Sequence, residues 1–204
     1  MKQKSREDER TLLLGLPPLD PKGARVLILG SFPSALSLER SEYYGHPRNQ
    51  FWPIIATIAS REMSVEGEAE YAVIEEPPPD WPSRMALAAR LRLAIWDLVA
   101  SCQRKGSLDA AIKNPILNDI NGFVASRPTI DSILLNGAAA AMFFERLCLK
   151  SGGLGSAGVG EPRPVILGGR ELFARRLPST SPVPTARFRK ASDKLPLWRE
   201  GLLT

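Results

Sequence analysis

Ala24-Arg25-Val26-Leu27-Ile28-Leu29-Gly30-Ser31-Phe32-Pro33-Ser34 is the stretch on which the fold turns. From Ala24 to Leu29 it is short, apolar, rich in branched side chains and closed by Gly30, which reads as a buried strand of a parallel sheet. Ile130–Leu135, running into Asn136-Gly137, is a second such strand, and Pro164–Leu167 and Glu171–Leu177 form two more around Gly168-Gly169. Between them lie helical patterns. Pro47–Ala59 places Phe51, Ile54, Ile55 and Ile58 on one face. Arg84–Val99 is amphipathic and leads through Trp96-Asp97 into a turn or short strand. Ser107–Lys113, Leu117–Ser126, Ala138–Leu149 and Lys190–Leu202 complete the helical set. Glu75–Ser83, with four prolines, reads as irregular, and Gly152–Gly160 as a mobile connection. Strands alternating with helices predict an α/β sandwich with a mostly parallel sheet. Ligands of such sheets lie beyond the carboxyl ends of the strands, where Gly30–Ser34, Asn136-Gly137 and Pro178–Pro182 all fall.

Composition narrows the classes. A hydrophobic share of 44% against 24% charged residues is that of an ordinary globular chain. The 204 residues suffice for one domain with its own core. No apolar run approaches a membrane span, and the charged stretch Met1–Arg10 lacks the make-up of a signal peptide and is expected to be flexible. Cys102 and Cys148 have no metal spacing and His46 is the only histidine, so neither a metal nor another cofactor is expected, and the thiols should be reduced in a cytoplasm. The net charge of +5 is unevenly spread, because Arg163–Arg199 holds 9 basic against 2 acidic side chains. A cationic surface of that kind favours a polyanion, and a merely solvated basic face explains the charge equally well.

The segment that carries chemistry is Tyr43-Tyr44-Gly45-His46-Pro47-Arg48-Asn49-Gln50-Phe51-Trp52. Its aromatics offer flat faces while Gly and Pro fix a sharp turn, which suggests a pocket for a nucleobase. Together with Gly30–Ser34, Trp96–Asp109 and Leu177-Pro178-Ser179-Thr180-Ser181-Pro182, this segment resembles the hypoxanthine-DNA glycosylases, family 6 of the uracil-DNA glycosylase superfamily. The resemblance runs in order from about Ala24 to Trp198. His46–Trp52 is also similar to the corresponding stretch of the mismatch-specific uracil glycosylases. The resemblance implies a three-layer α/β/α fold with a short central sheet and excision of deaminated bases from DNA. Hypoxanthine is the implied chief substrate, with uracil and xanthine as lesser ones. Where uracil-excising relatives carry Asn or Asp, two residues past the first-strand glycine, this chain has Phe32, which neither orients nor activates water. The Ser179–Pro182 loop also lacks the histidine that classical uracil enzymes use against the leaving base.

On that basis the resemblance points to Asn49 as the catalytic amide that orients water. Capping of the helix near Phe51 is its alternative role. Phe51 is the expected stacking partner of the everted base, or else a core residue, and Phe32, Tyr44 and His46 are expected beside it. His46 could equally hold the turn. Asp97 stands where sister enzymes read the base edge. A carboxylate there accepts from the N1–H of hypoxanthine, a proton adenine lacks. A helix cap or an ion pair with Arg104 or Arg92 is its alternative. Asn136 could touch the base or serve the turn beside Gly137. Ser34, Arg48, Ser179, Thr180, Ser181, Pro182 and Arg187 are expected on DNA phosphates, with Val183 or Pro184 entering the gap left by the base. No lysine lies in either signature, so a monofunctional, monomeric glycosylase is expected, with DNA containing deaminated bases as its partner. The rival classes are a hydrolase of free nucleotides, which needs no cationic segment, and a catalytically silent DNA-binding module.

Overall fold

The computed structural model describes residues 12–62, 74–147, 157–183 and 185–203. Met1–Arg10, Cys148, the first half of the Gly152–Gly160 connection and Pro184 lie outside the described residues. In chain order the elements are β1 (Leu12–Leu14), β2 (Val26–Gly30), α1 (Ala35–Arg40), α2 (Phe51–Glu62), α3 (Trp81–Arg90), β3 (Leu93–Asp97), β4 (Val99–Gln103) and β5 (Lys113–Leu117). They continue with α4 (Ile120–Ala125), β6 (Ser132–Asn136), α5 (Ala138–Leu147), β7 (Pro162–Leu167), β8 (Arg170–Leu177) and α6 (Ala191–Leu203).

Five strands form the central sheet in the order β3-β2-β6-β8-β7. The first four are parallel, and β7 returns antiparallel along β8 at the edge. β2 is buried at every position, as a strand covered on both faces must be. Its side chains alternate between two cores. Leu27 and Leu29 pack with Phe123 and Val124 of α4 and with Phe143 and Phe144 of α5. Val26 and Ile28 pack with Phe51, Ile54 and Ile58 of α2, Ala88 of α3 and Trp198 of α6. Helices on both faces of one sheet make the expected three-layer α/β/α sandwich.

The helix read over Arg84–Val99 is cut short: α3 runs Trp81–Arg90, begun by Asp80, which accepts from the Ser83 N–H at 2.8 Å, and Leu93–Asp97 is the strand β3 instead of helix. One further helical expectation fails and another is shortened. Ser107–Lys113 contains only a single 3₁₀ turn at Asp109–Ala111, whereas Leu117–Ser126 is helical over Ile120–Ala125, its first residue being the end of β5. The cause is a second, antiparallel sheet, β1-β4-β5, to which β4 carries the chain directly from β3. This sheet brings Ser107–Asp109 to the carboxyl edge of the central one.

Candidate active site

Parallel register aligns the carboxyl ends of four strands. Gly30 sits opposite Asp97, and Asn136 opposite Leu177. A cleft of about 730 Å³ opens there, within the roughly 300–1,000 Å³ usual for small-ligand sites. Phe32, Ser34, Tyr44, His46, Asn49, Asp97, Asn136 and Ser179–Pro182 all line it, so residues far apart in the chain meet at one place.

Asp97 forms the floor. A Cβ on Gly30 would collide with the Asp97 carboxylate, so only glycine leaves room for it. Gly30→Ala should therefore cost about 1–3 kcal/mol through overpacking. A lower denaturant midpoint together with slower turnover would register it. Asp97 is 4% exposed and its Oδ2 is buried without a hydrogen-bond partner. Burial above all, then the charge of Asp109, pushes its pKa up to about 7, with Arg104 opposing. The alternatives for Asp97 fall away. It ends a strand instead of capping a helix, Arg92 donates to the Gly23 carbonyl at 2.8 Å, and Arg104 donates to the Pro33 carbonyl while lying over the Phe32 ring, 4.8 Å from its centroid. An unpaired buried carboxylate oxygen is costly, and a ligand N–H is what would satisfy it.

The aromatic wall differs from expectation. Phe51 is fully buried and does not line the cleft, so it cannot stack on a base. It lies behind Tyr44, ring centroids 4.0 Å apart and planes at 29°, and is wedged edge-on against Trp52 and Trp198 at 4.9 and 5.7 Å. Its place as the first residue of an apolar helix face pulls it into the core. Tyr44, held in a left-handed backbone conformation at φ 55°, takes the position in the cleft. Its hydroxyl is buried without a partner. Burial, and then Asp97, raise its pKa further, while Asn136 nearby works the other way, so the phenol stays neutral.

The turn before α2 is tied from within. His46 Nδ1 accepts from the Arg48 N–H at 3.0 Å and the His46 carbonyl accepts from the Asn49 N–H at 2.8 Å. His46 therefore holds the turn while also lining the cleft, and Arg48 points outward, exposed. Asn49 does two things. Its Oδ1 accepts from the Phe51 N–H at 2.9 Å, which starts α2, and its half-buried amide lines the cleft.

Thr180 is a strut, not a phosphate ligand. It is fully buried, its Oγ1 accepts from Asn136 Nδ2 at 2.8 Å, its N–H donates to Asn136 Oδ1 at 2.9 Å, and its carbonyl accepts from the Gln50 N–H at 2.9 Å. Asn136, expected to reach a base, spends much of its amide on this strut and keeps one N–H and one lone pair for the cleft. Gly137, at φ 97°, lets Ser179 approach so closely that a Cβ would meet it at 2.7 Å. Ser179 Oγ accepts from the Ser181 N–H at 3.2 Å and Ser181 Oγ from the Val183 N–H at 3.3 Å, leaving both hydroxyl protons to donate. Ser34 Oγ accepts from the Ser37 N–H at 3.1 Å, capping α1, and donates to Ser37 Oγ at 3.0 Å. Pro182 is half-buried at the rim. Arg187, exposed and over the Phe188 ring at 5.2 Å, stands just beyond the lining residues.

Not all of the cationic segment is surface. Arg170 donates to the carbonyls of Val124, Arg127 and Ile130, Arg175 pairs with Glu200 at 2.8 Å, and Lys194 is 1% exposed, its pKa lowered by burial. Arg187, Arg189 and Lys190 are the exposed cations that follow the Ser-Thr-Ser loop. Sequence reasoning missed Ser107, Leu108, Asp109 and Arg176, which also line the cleft. Their presence depends on β4 and β5 pairing and on the face of β8 that Arg176 occupies, and no local pattern marks either. Among the described residues no three His, Cys, Asp or Glu side chains gather as a metal site, and no helix is long and apolar enough to cross a membrane.

No family model matches the chain. A protein of Methanosarcina barkeri named hypoxanthine DNA glycosylase is 27% identical over 123 residues, 60% of this chain and 70% of that one. A Methanosarcina acetivorans protein of the same name is 26% identical over 129 residues, 63% of this chain and 73% of that one. The chain is a relative of the hypoxanthine DNA glycosylases. Its fold agrees with the solution NMR structure of a provisionally named uracil DNA glycosylase from Methanosarcina acetivorans. That match has a TM-score of 0.64 at 23% identity and covers 94% of this chain and 97% of the other.

Proposed function

We propose that this chain is a monofunctional DNA glycosylase, hydrolysing the N-glycosidic bond of deaminated bases in DNA, chiefly hypoxanthine, with uracil and xanthine as lesser substrates. It would work as a monomer on DNA in the cytoplasm. The observation that carries this reading is the buried, unpartnered Asp97 oxygen at the bottom of a cleft walled by Tyr44 and Phe32. A base turned out of the duplex enters such a cleft edge first, and mispaired inosine is cheaper to extrude than a paired base. Hypoxanthine presents N1–H to Asp97 and satisfies it, whereas adenine presents a lone pair and leaves two acceptors face to face.

Asn49 places the water at C1′, and the pocket stabilises the departing base. Ser34, Arg48, Ser179, Ser181, Pro182 and Arg187 border the cleft or its approach and hold the flanking phosphates. Among the described residues no lysine lines the cleft, which leaves hydrolysis without strand cleavage. Oligonucleotides carrying inosine, uracil or xanthine, followed by alkaline cleavage of abasic sites, test the reading. Breaks at inosine support it, and no break above background for any of the three supports a silent binding module instead.

Asp97 also gives the reaction a pH dependence. With its pKa near 7 it is protonated, and a poor acceptor for N1–H, below neutrality. Inosine excision should therefore climb as pH rises through about 7. Asp97→Asn should lose that limb and run about 10–100-fold slower at pH 8. Stability moves the opposite way. The unfolded chain releases this proton near 4, the folded one near 7, so stability falls as pH rises between those limits, and Asp97→Asn should gain in melting temperature at pH 8 but not at pH 4.

A further inference from the structure

Hydrolysis at C1′ needs two things of the protein near the water: a group to aim it and a group to take its proton. Asn49 supplies the first only, because a carboxamide oxygen accepts hydrogen bonds but does not become protonated near neutral pH. Among the described residues two carboxylates line the cleft, Asp97 and Asp109. They lie at different depths. Asp97 is 4% exposed on the floor, where on the glycosylase reading the base edge would engage it. Asp109 belongs to the 3₁₀ turn at the mouth. The residue is open to solvent while its carboxyl is turned onto the strand-end turn, where Oδ1 accepts from the Ser31 hydroxyl at 2.6 Å. Ser31 directly follows Gly30 and also lines the cleft. On the glycosylase reading, a nucleotide entering base first would leave its sugar above the buried Asp97, toward the more exposed Ser31–Asp109 pair.

We propose that Asp109, acting through or beside the Ser31 hydroxyl, is the general base for the attacking water, filling the need left by Phe32 in the turn after β2. This rests on the glycosylase reading above. In the step, the water oxygen bonds to C1′ as the C1′–N bond breaks, and the bonding pair leaves on the base nitrogen. The water proton passes to the Asp109 carboxylate, directly or by way of the Ser31 hydroxyl as that gives its own proton to Asp109. The base nitrogen takes a proton from solvent, and Asp109 returns its proton to solvent afterwards. Partial burial of the carboxyl raises the Asp109 pKa, against the pull of Ser31 and Arg104, which suits an acceptor. Among the described residues, Arg104 and Asp97 are the charged groups that face it.

The test compares Asp109→Asn, Asp109→Glu and Ser31→Ala with the parent chain in single-turnover excision and in binding to inosine-containing duplex. A general base acts on the water, not on the base that leaves. Asp109→Asn should therefore lose about a hundredfold or more in rate for every base the parent releases. It should bind DNA at least as tightly, since a negative charge beside the phosphates is removed. Asp109→Glu should recover part of the rate, and Ser31→Ala should fall between. A rate for Asp109→Asn within threefold of the parent overturns the proposal. So does a loss confined to one substrate base, or one matched by an equal loss of DNA binding. If the parent itself releases no base from any substrate, the glycosylase reading has failed, which is a different result from a parent that works and an Asp109→Asn variant that works equally well.

Discussion

Asn49→Ala should slow hypoxanthine excision by roughly 10²–10³-fold, the usual loss when one positioned polar group is taken from a reaction centre. The substitution has a second effect that must be separated from the first. Asn49 Oδ1 holds the Phe51 N–H at 2.9 Å, and loss of a capping acceptor costs about 1 kcal/mol. Asn49→Ser provides the separation, because its hydroxyl oxygen retains an acceptor for Phe51 while lacking the carboxamide. Its melting temperature should stay near that of the parent and its single-turnover rate should fall as far as that of the alanine variant. A serine variant with near-parental turnover would mean that the amide serves only the start of α2.

Phe51→Ala should be among the most damaging changes to stability, costing about 3–5 kcal/mol as a fully buried aromatic replaced by a methyl group. For a chain of this length that corresponds to a drop of roughly 6–20 °C in melting temperature. The loss arises from the ring set formed with Tyr44, Trp52 and Trp198. Tyr44→Phe makes the informative contrast. It removes a buried hydroxyl that has no partner, so stability should hold or improve. A fall in inosine excision in Tyr44→Phe at unchanged stability would assign the hydroxyl to the substrate. If Phe51→Ala melted like the parent, the packing of the aromatic set described above would be wrong.

Much of this architecture is legible from the chain. Branched, uninterrupted runs such as Val26–Leu29 and Ile130–Leu135 announce buried parallel strands, and the turns after them mark the ligand edge. What stayed hidden was set by tertiary pairing. Leu93–Asp97 carries no turn residue separating it from the helix before it, so only its pairing with β2 shows it to be a strand. Lys113–Leu117 contains Pro115 and alternates poorly, yet it pairs with β4 across a register shift. At the site, the resemblance marked Tyr44, Asn49 and Asp97 as candidates. It could not say which of the neighbouring rings, at positions 44 and 51, would face the cleft. Helical phase buries Phe51, and the left-handed backbone at Tyr44 turns the other ring to the opening. Asp109 closed the Trp96–Asp109 stretch of the resemblance without being singled out, because its place at the cleft depends on a second sheet.

The Gln50 N–H bound to the Thr180 carbonyl, and Thr180 bound twice to Asn136, make three segments of distant sequence into one rigid truss. Loosening any member slackens the others. A Thr180→Val variant, which removes only one hydroxyl from this truss, would behave in a turnover assay as though Asn49 itself had been moved, and combining it with an Asn49 change would add little further harm.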